Sequence, residues 1–166
     1  QDMDDMESLT RQFMDFARVD ADEHVEAINL HSLLDELRQR LAQRELIVSH
    51  APAETTLHAR PQALRRALLN LLENAYRHGA PPVEVLVRQQ DQRLIISVID
   101  HGVGLPDDQL ETIKQPFRCG ESARTDARGT GLGLAIVERV AQLHGGQLTL
   151  HNRSEGGFEA RLDLPA

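Results

Sequence analysis

Apolar residues recur along this chain with two periods, and the switches between them mark out its elements. Met6, Leu9, Phe13 and Phe16 follow a 3-4-3 spacing within an acidic, polar stretch, which predicts an amphipathic helix or a short coiled-coil seam. The following residues, ARVDADEHVEAINL, read as a polar connector, so the partner of that stripe is expected outside the globular body. A second helix is predicted over roughly 30–44, with Leu30, Leu33, Leu34, Leu37 and Leu41 on one face. ELIVSHA and TTLHA are short β-like runs, and Pro61 opens a long helix that reaches His78. After Gly79-Ala80-Pro81-Pro82 come two strands, VEVLVRQQ and RLIISVID, joined by a short polar turn. Residues 107–128 are polar and irregular, with one short helical piece. A further helix follows and is ended by Gly145-Gly146; the strands QLTLHNRS and FEARLDLP then flank a Glu-Gly-Gly turn. Helices and strands that do not strictly alternate predict an α+β fold, with helices on one face of a mostly antiparallel sheet.

Composition narrows the class. The 166 residues suit one domain with an adequate core and leave room for a short appendage. A chain that begins at Gln1 and is helical almost at once reads as part of something longer. With 18 basic against 26 acidic residues the net charge is −8, which argues against a nucleic-acid surface and against attraction to anionic membranes. Cys119 is the single cysteine and has no internal disulfide partner. The apolar run LIISVI is far too short to span a bilayer, and no signal peptide is visible. The expectation is a soluble, cytosolic piece.

Chemistry is suggested at three places. Gly129, Gly131 and Gly133 stand at every second position ahead of an amphipathic helix. The spacing is neither a Walker loop, since Leu134 and Ala135 replace the Lys and Ser or Thr, nor a dinucleotide fingerprint, since no buried strand precedes it. Glycines nevertheless let backbone amides approach an anion, and a helix N-terminus favours negative charge; the plain alternative is a flexible helix cap. In PQALRRALLNLLENAYRHG, Asn70, Asn74 and Arg77 stand at i, i+4 and i+7, opposite the core side made by Leu64, Leu68, Leu71 and Ala75. Mid-helix Asn costs propensity, so something should compensate. Amide oxygens suit a hard cation such as Mg²⁺ that brings its own phosphates, and the adjacent Arg can neutralise phosphate; a solvated polar face is the bland reading. Finally, RLIISVI runs into DHGVGLP, where Asp100 could accept from the exocyclic amine of adenine and Gly102 and Gly104 let the backbone pass a flat ligand closely; an Asx-turn closing a strand is the alternative.

In chain order these are N-L-L-E-N-A-Y-R-H at 70–78, D-H-G-V-G at 100–104 and G-T-G-L-G-L at 129–134. Together they resemble the ATP-binding catalytic domain of sensor histidine kinases, within the wider gyrase, Hsp90, kinase and mismatch-repair (GHKL) superfamily. Pro116-Phe117 matches the family's phenylalanine box, and GESARTDARGTGLGLAIVERV looks like the osmosensor kinases of the EnvZ type. The first helix resembles the second helix of the family's dimerisation and phosphotransfer hairpin. The resemblance implies a Bergerat-type two-layer sandwich, a mixed and mostly antiparallel sheet with helices on one face, preceded by an extra N-terminal helix. It divides the chain into a partial hairpin helix at 1–19, a linker at 20–29 and the catalytic domain at 30–166.

The resemblance also implies roles. Asn74 ligates Mg²⁺ with the ATP phosphates, Asn70 supports the same site, and Arg77 reaches toward the phosphates. His78 stands where the family often has Tyr against the nucleotide. Asp100 binds the adenine amine; Gly102 and Gly104 line the base pocket. Residues 115–131 form a lid, and the segment Gly129, Thr130, Gly131, Leu132, Gly133 and Leu134 meets the phosphates. Cys119 occupies a place where the family commonly has Arg, which leaves Arg118 and Arg124 as candidates for the lid's cation. The family's phosphoacceptor His, followed by an acidic residue, has no counterpart among the eight histidines. His24 precedes Val25, and His31, His50, His58, His101, His144 and His151 read as surface or strand positions. By the resemblance, the intact protein transfers the γ-phosphoryl of ATP to a His and onward to an Asp of a response regulator, as a homodimer anchored in the bacterial inner membrane. Rival readings are a nucleotide-responsive interaction module without phosphotransfer, a hydrolysing ATPase in which Glu73 activates water, and a helical scaffold.

Overall fold

The long helix predicted from Pro61 organises the molecule, because it is apolar on too wide a face to be covered by one neighbour. In the computed structural model, whose described residues are 6, 7, 10, 11, 14, 23–41, 46–49, 55–115 and 133–165, it spans Pro61–His78 and is α2. The other elements are β1 (Glu26–Asn29), α1 (Leu30–Arg40), β2 (Leu46–Ser49), β3 (Thr56–Ala59), β4 (Val83–Gln90), β5 (Arg93–Asp100), α3 (Gly133–Leu143), β6 (Gln147–Asn152) and β7 (Phe158–Pro165). Two 3-10 turns, Asp107–Gln109 and Thr112–Lys114, lie between β5 and α3.

Five strands form one sheet in the order β2-β4-β5-β7-β6; β2 runs parallel to β4 and every other pair is antiparallel. Alternation along the strands sends Val83, Val85 and Val87 of β4, Leu94, Ile96 and Val98 of β5, and Phe158, Ala160, Leu162 and Leu164 of β7 into one core. Leu30, Leu33, Leu34 and Leu37 of α1, Leu64, Leu68, Leu71 and Leu72 of α2, and Ile136, Val137 and Val140 of α3 complete it. Each fully buried Leu contributes roughly 2 kcal/mol of transfer free energy. Asp91 and Gln92 both adopt positive φ, a two-residue turn whose twist suits the β4–β5 hairpin. The opposite sheet face mixes Leu86, Ile95 and Ile99 with charged pairs: His151 Nε2 lies 2.9 Å and Arg161 Nε 3.2 Å from the Glu159 carboxylate. Burial works against that charge, but the Ser97 hydroxyl, Arg161 and His151 outweigh it and hold the Glu159 carboxyl below its ordinary range.

Three local readings are corrected. Within the stretch read as a connector, Glu26–Asn29 form a strand paired antiparallel with β3, a two-stranded sheet of its own. Its polarity hid it, and only the distant partner supplies its ladder. Asn29 then caps α1, its Oδ1 accepting from Ser32 N–H at 3.0 Å. The helix expected to run to 44 ends at Arg40, where the Leu41 N–H bonds to Leu37 O and closes it. His144, read as a surface or strand position, is half-buried at the end of α3. There its Nδ1 faces Val140 O at 2.7 Å and its Nε2 accepts from the Arg60 N–H at 2.9 Å. Met6, Glu7, Thr10, Arg11 and Met14 are helical and exposed, whereas Leu9, Phe13 and Phe16 of the predicted stripe lie outside the described residues.

Candidate functional site

Asp100 is the last residue of β5 and shares the core-facing side with Leu94, Ile96 and Val98, so strand alternation alone drives a carboxylate into the interior. It is 4% exposed. Its Oδ1 accepts from the Gly102 N–H at 2.8 Å, and the Ala80 N–H also bonds to the carboxylate. Burial pushes the Asp100 carboxyl above its ordinary range, against the pull of those two amides and of His101. A carboxylate has about four lone-pair sites, so two backbone donors leave Asp100 with further capacity to accept.

Gly79 brings α2 to this group. It is the residue at which α2 ends, its N–H bonding to Ala75 O at 3.0 Å. A Cβ there would stand 2.3 Å from Asp100 Cγ and 2.6 Å from Ala75 O, so no side chain fits. The turn Gly79-Ala80 is held from the other direction by the His101 N–H, which donates to Ala80 O at 2.9 Å. The predicted polar face of α2 thereby ends against Asp100. Asn70 and Asn74 are half-buried on it; Arg77 and His78 are exposed in its last turn. Asn70 Nδ2 donates to Arg66 O at 3.0 Å, which turns its Oδ1 toward Gly133, where an added Cβ would stand 3.6 Å away.

Gly133 is the first residue of α3 and Leu134 is buried in the core behind it. The start of α3 is therefore seated beside the Asn-bearing face of α2, and the helix dipole favours an anion there. Arg118, Arg124, Gly129, Thr130, Gly131 and Leu132 lie outside the described residues, as do Phe117 and Cys119. Among the described residues, Asn70, Asn74, Arg77 and His78 are carried by the second half of α2, Asp100 by the end of β5, Gly102 and Gly104 by the loop after it, and Gly133 and Leu134 by the start of α3. Glu73, by contrast, is exposed.

Gly104 has φ of +76°, a conformation that favours glycine, and leads to Leu105. Leu105 is bonded at both peptide groups by the Asn152 side chain: its N–H donates to Oδ1 at 3.0 Å and its carbonyl accepts from Nδ2 at 2.6 Å. Gly79, Ala80 and Asn152 escaped the sequence reading. The first two sat in what reads as a turn, and Asn152 sat 47 residues from Leu105 with no motif of its own.

Residues 59–166 match the family described as histidine kinase-, DNA gyrase B- and HSP90-like ATPase. The sensor histidine kinase GtrS of Pseudomonas aeruginosa is 34% identical over 167 residues, covering 99% of this chain and 34% of that protein. Among solved structures, ShkA, whose full-length form was determined in complex with AMPPNP, superposes with a TM-score of 0.75 at 29% identity over 95% of this chain and 35% of the other. The histidine kinase domain of the Escherichia coli osmosensor EnvZ gives a TM-score of 0.65 at 34% identity, covering 85% of this chain and 88% of that domain. The chain spans about a third of GtrS and 22% of the kinase AfsQ2 of Streptomyces coelicolor. The EnvZ-like architecture and the match over 59–166 agree: this chain belongs to the histidine kinase-, DNA gyrase B- and HSP90-like ATPase family.

Proposed function

We propose that this chain is the ATP-binding catalytic part of a two-component sensor kinase, and that the intact protein transfers the γ-phosphoryl of Mg-ATP to a His nitrogen on a segment outside this chain. From there the phosphoryl group passes to an Asp of a response-regulator receiver domain. Phosphoryl transfer is mostly positioning and charge neutralisation, so this part contributes the nucleotide and its ion while the acceptor contributes the nucleophile.

The observation that carries the reading is the buried Asp100 carboxylate, fixed by Gly102 and Ala80 and pressed against the end of the Asn-bearing helix. It accepts from the exocyclic amine of adenine, with Gly102 and Gly104 beside the base. The Asn74 amide oxygen, supported by Asn70, would hold Mg²⁺, and the ion would screen phosphate charge. Arg77, with Arg118 and Arg124, adds positive charge, and the segment 129–134 offers amides to the phosphates. His78 stacks where the resemblance places a Tyr. Residues 1–19 act as a partial hairpin helix through which the parent dimerises and meets its regulator, 20–29 lead into the body, and 30–166 form the catalytic domain. The parent carries its membrane anchor elsewhere; among the described residues no helix is long and apolar enough to cross a bilayer.

Calorimetric titration with AMPPNP, with and without Mg²⁺, tests this on the wild type, Asn74→Ala and Asp100→Ala. Saturable binding that is lost in Asp100→Ala, and a Mg²⁺-dependent gain that is lost in Asn74→Ala, is expected. A folded wild type that binds no nucleotide would overturn the proposal.

A further inference from the structure

The register of the sheet puts Asp100, Phe158 and Asn152 in one row, since Asp100 pairs with Phe158 across β5–β7 and Asn152 pairs with Phe158 across β6–β7. Directly paired residues point to the same face, so Asn152 stands on the same side as Asp100, two strands away. The chain leaving Asp100 crosses that row as an arch. Its first foot is the Gly102 N–H on Asp100 Oδ1 at 2.8 Å. Its second is Leu105, whose N–H and carbonyl are both taken by the Asn152 carboxamide at 3.0 and 2.6 Å. Asn152 Nδ2 also lies 3.3 Å from Asp107 Oδ1. Between the feet, Val103 is 99% exposed at the crown.

An amide side chain that both accepts from and donates to one residue's peptide groups replaces a missing strand neighbour, and among side chains only Asn and Gln offer both a carbonyl and an N–H₂. The fit is close: a Cβ on Gly104 would stand 2.0 Å from Asn152 Oδ1. Leu105 itself packs on the core, so the second foot is fixed by hydrogen bonds and by burial.

Resting on the nucleotide reading above, we infer that Asn152 is a positioning residue for base recognition: by clamping Leu105 it sets the height of the 102–104 arch over the sheet, and so the width of the slot in which a purine meets Asp100. Asn152 does not touch the base. It determines whether the Asp100 carboxylate, held by the Gly102 N–H, meets the base edge in one fixed geometry, and hence how well an amino purine is told from an oxo purine.

ATP and ITP test this, because they share the ribose and phosphates and differ only at the base edge, where ATP has a 6-amino group beside an N1 acceptor and ITP a 6-oxo group beside an N1–H donor. In this chain the wild type should prefer ATP. Asn152→Ala should weaken ATP about tenfold and ITP about twofold, narrowing the preference, as expected when one bidentate hydrogen-bond set is lost. Asn152→Asp has the same size and keeps the acceptor for the Leu105 N–H but loses the donor. It should fall between wild type and Asn152→Ala, and it serves if the alanine variant does not fold. A variant that melts earlier yet keeps the wild-type ATP-to-ITP ratio would show Asn152 to be structural only and overturn the inference, as would unchanged affinity for both. A wild type that binds ATP and neglects the difference from ITP would sink the base slot itself. A wild type that binds neither would sink the nucleotide reading, and the inference with it.

Discussion

The two ends of α2 are built on opposite plans. At its C-terminus the helix closes by shape: Gly79 follows His78 directly, and the close approach of Asp100 forbids anything larger. At its N-terminus no local side chain helps, because Arg60 caps without a side-chain bond and Pro61 has no N–H. The remaining first-turn donors are taken by distant groups. Glu23, ahead of β1, accepts from Gln62 N–H at 2.7 Å and Ala63 N–H at 3.0 Å, and His144, at the end of α3, accepts from Arg60 N–H at 2.9 Å. Arg60 Nη1 adds a bond to Leu143 O at 3.0 Å. One end therefore holds the candidate site, and the other is a junction of three segments. A functional end that is sterically determined tolerates no substitution, whereas an end satisfied by hydrogen bonds can lose them one at a time.

The strongest way to break this contrast is Gly79→Ala. The added Cβ meets Asp100 and the Ala75 carbonyl, so thermal unfolding should show a loss of about 1–3 kcal/mol, as overpacking gives, and nucleotide binding should vanish in the same titration. Asp100→Asn separates site from stability. Because burial raises the Asp100 carboxyl, the fold favours its neutral form, and that contribution is lost as pH rises through the raised value. The neutral amide should leave the melting temperature at pH 7 unchanged or higher, while ATP affinity falls about tenfold or more with the loss of a charged acceptor. Equal loss of both would contradict this division of labour.

At the other end the effects are smaller. Glu23→Ala removes a charge-assisted cap and should cost about 1 kcal/mol, some 2–4 °C of melting temperature, with nucleotide affinity within about twofold of wild type. A larger affinity loss would mean the junction acts on the site. Smallest is the pH response of His144. Burial lowers its pKa, helped by Arg60 and opposed by the Val140 carbonyl and Glu23, so the fold requires the neutral ring. That stability is intact above the ordinary His value and is lost as pH falls below it, when the unfolded chain takes up the proton first. The melting temperature should drop between pH 7.5 and 5.5, by less in His144→Gln; equal drops would place the response elsewhere.

These cases also show what was legible. Asn70, Asn74, Asp100 and Gly133 were readable because each breaks a local pattern: amides in mid-helix, a carboxylate ending an apolar strand, glycines opening a helix. Glu23, His144 and Asn152 break none. A Glu in an acidic stretch, a His after a helix and an Asn near a turn are ordinary at their own positions, and their partners lie 39, 84 and 47 residues away.

Periodicity by itself determined the helices of the body, the strands of the five-stranded sheet and, for β4 to β7, the side that faces the core, since burial acts on every apolar residue whatever its partner. Only the tertiary structure decided that Glu26–Asn29 is a strand, that β2 joins β4 while β3 joins β1, and that Asn152 stands in the row of Asp100. Backbone pairing and single hydrogen bonds are specified by where two segments meet, and no local pattern carries that information.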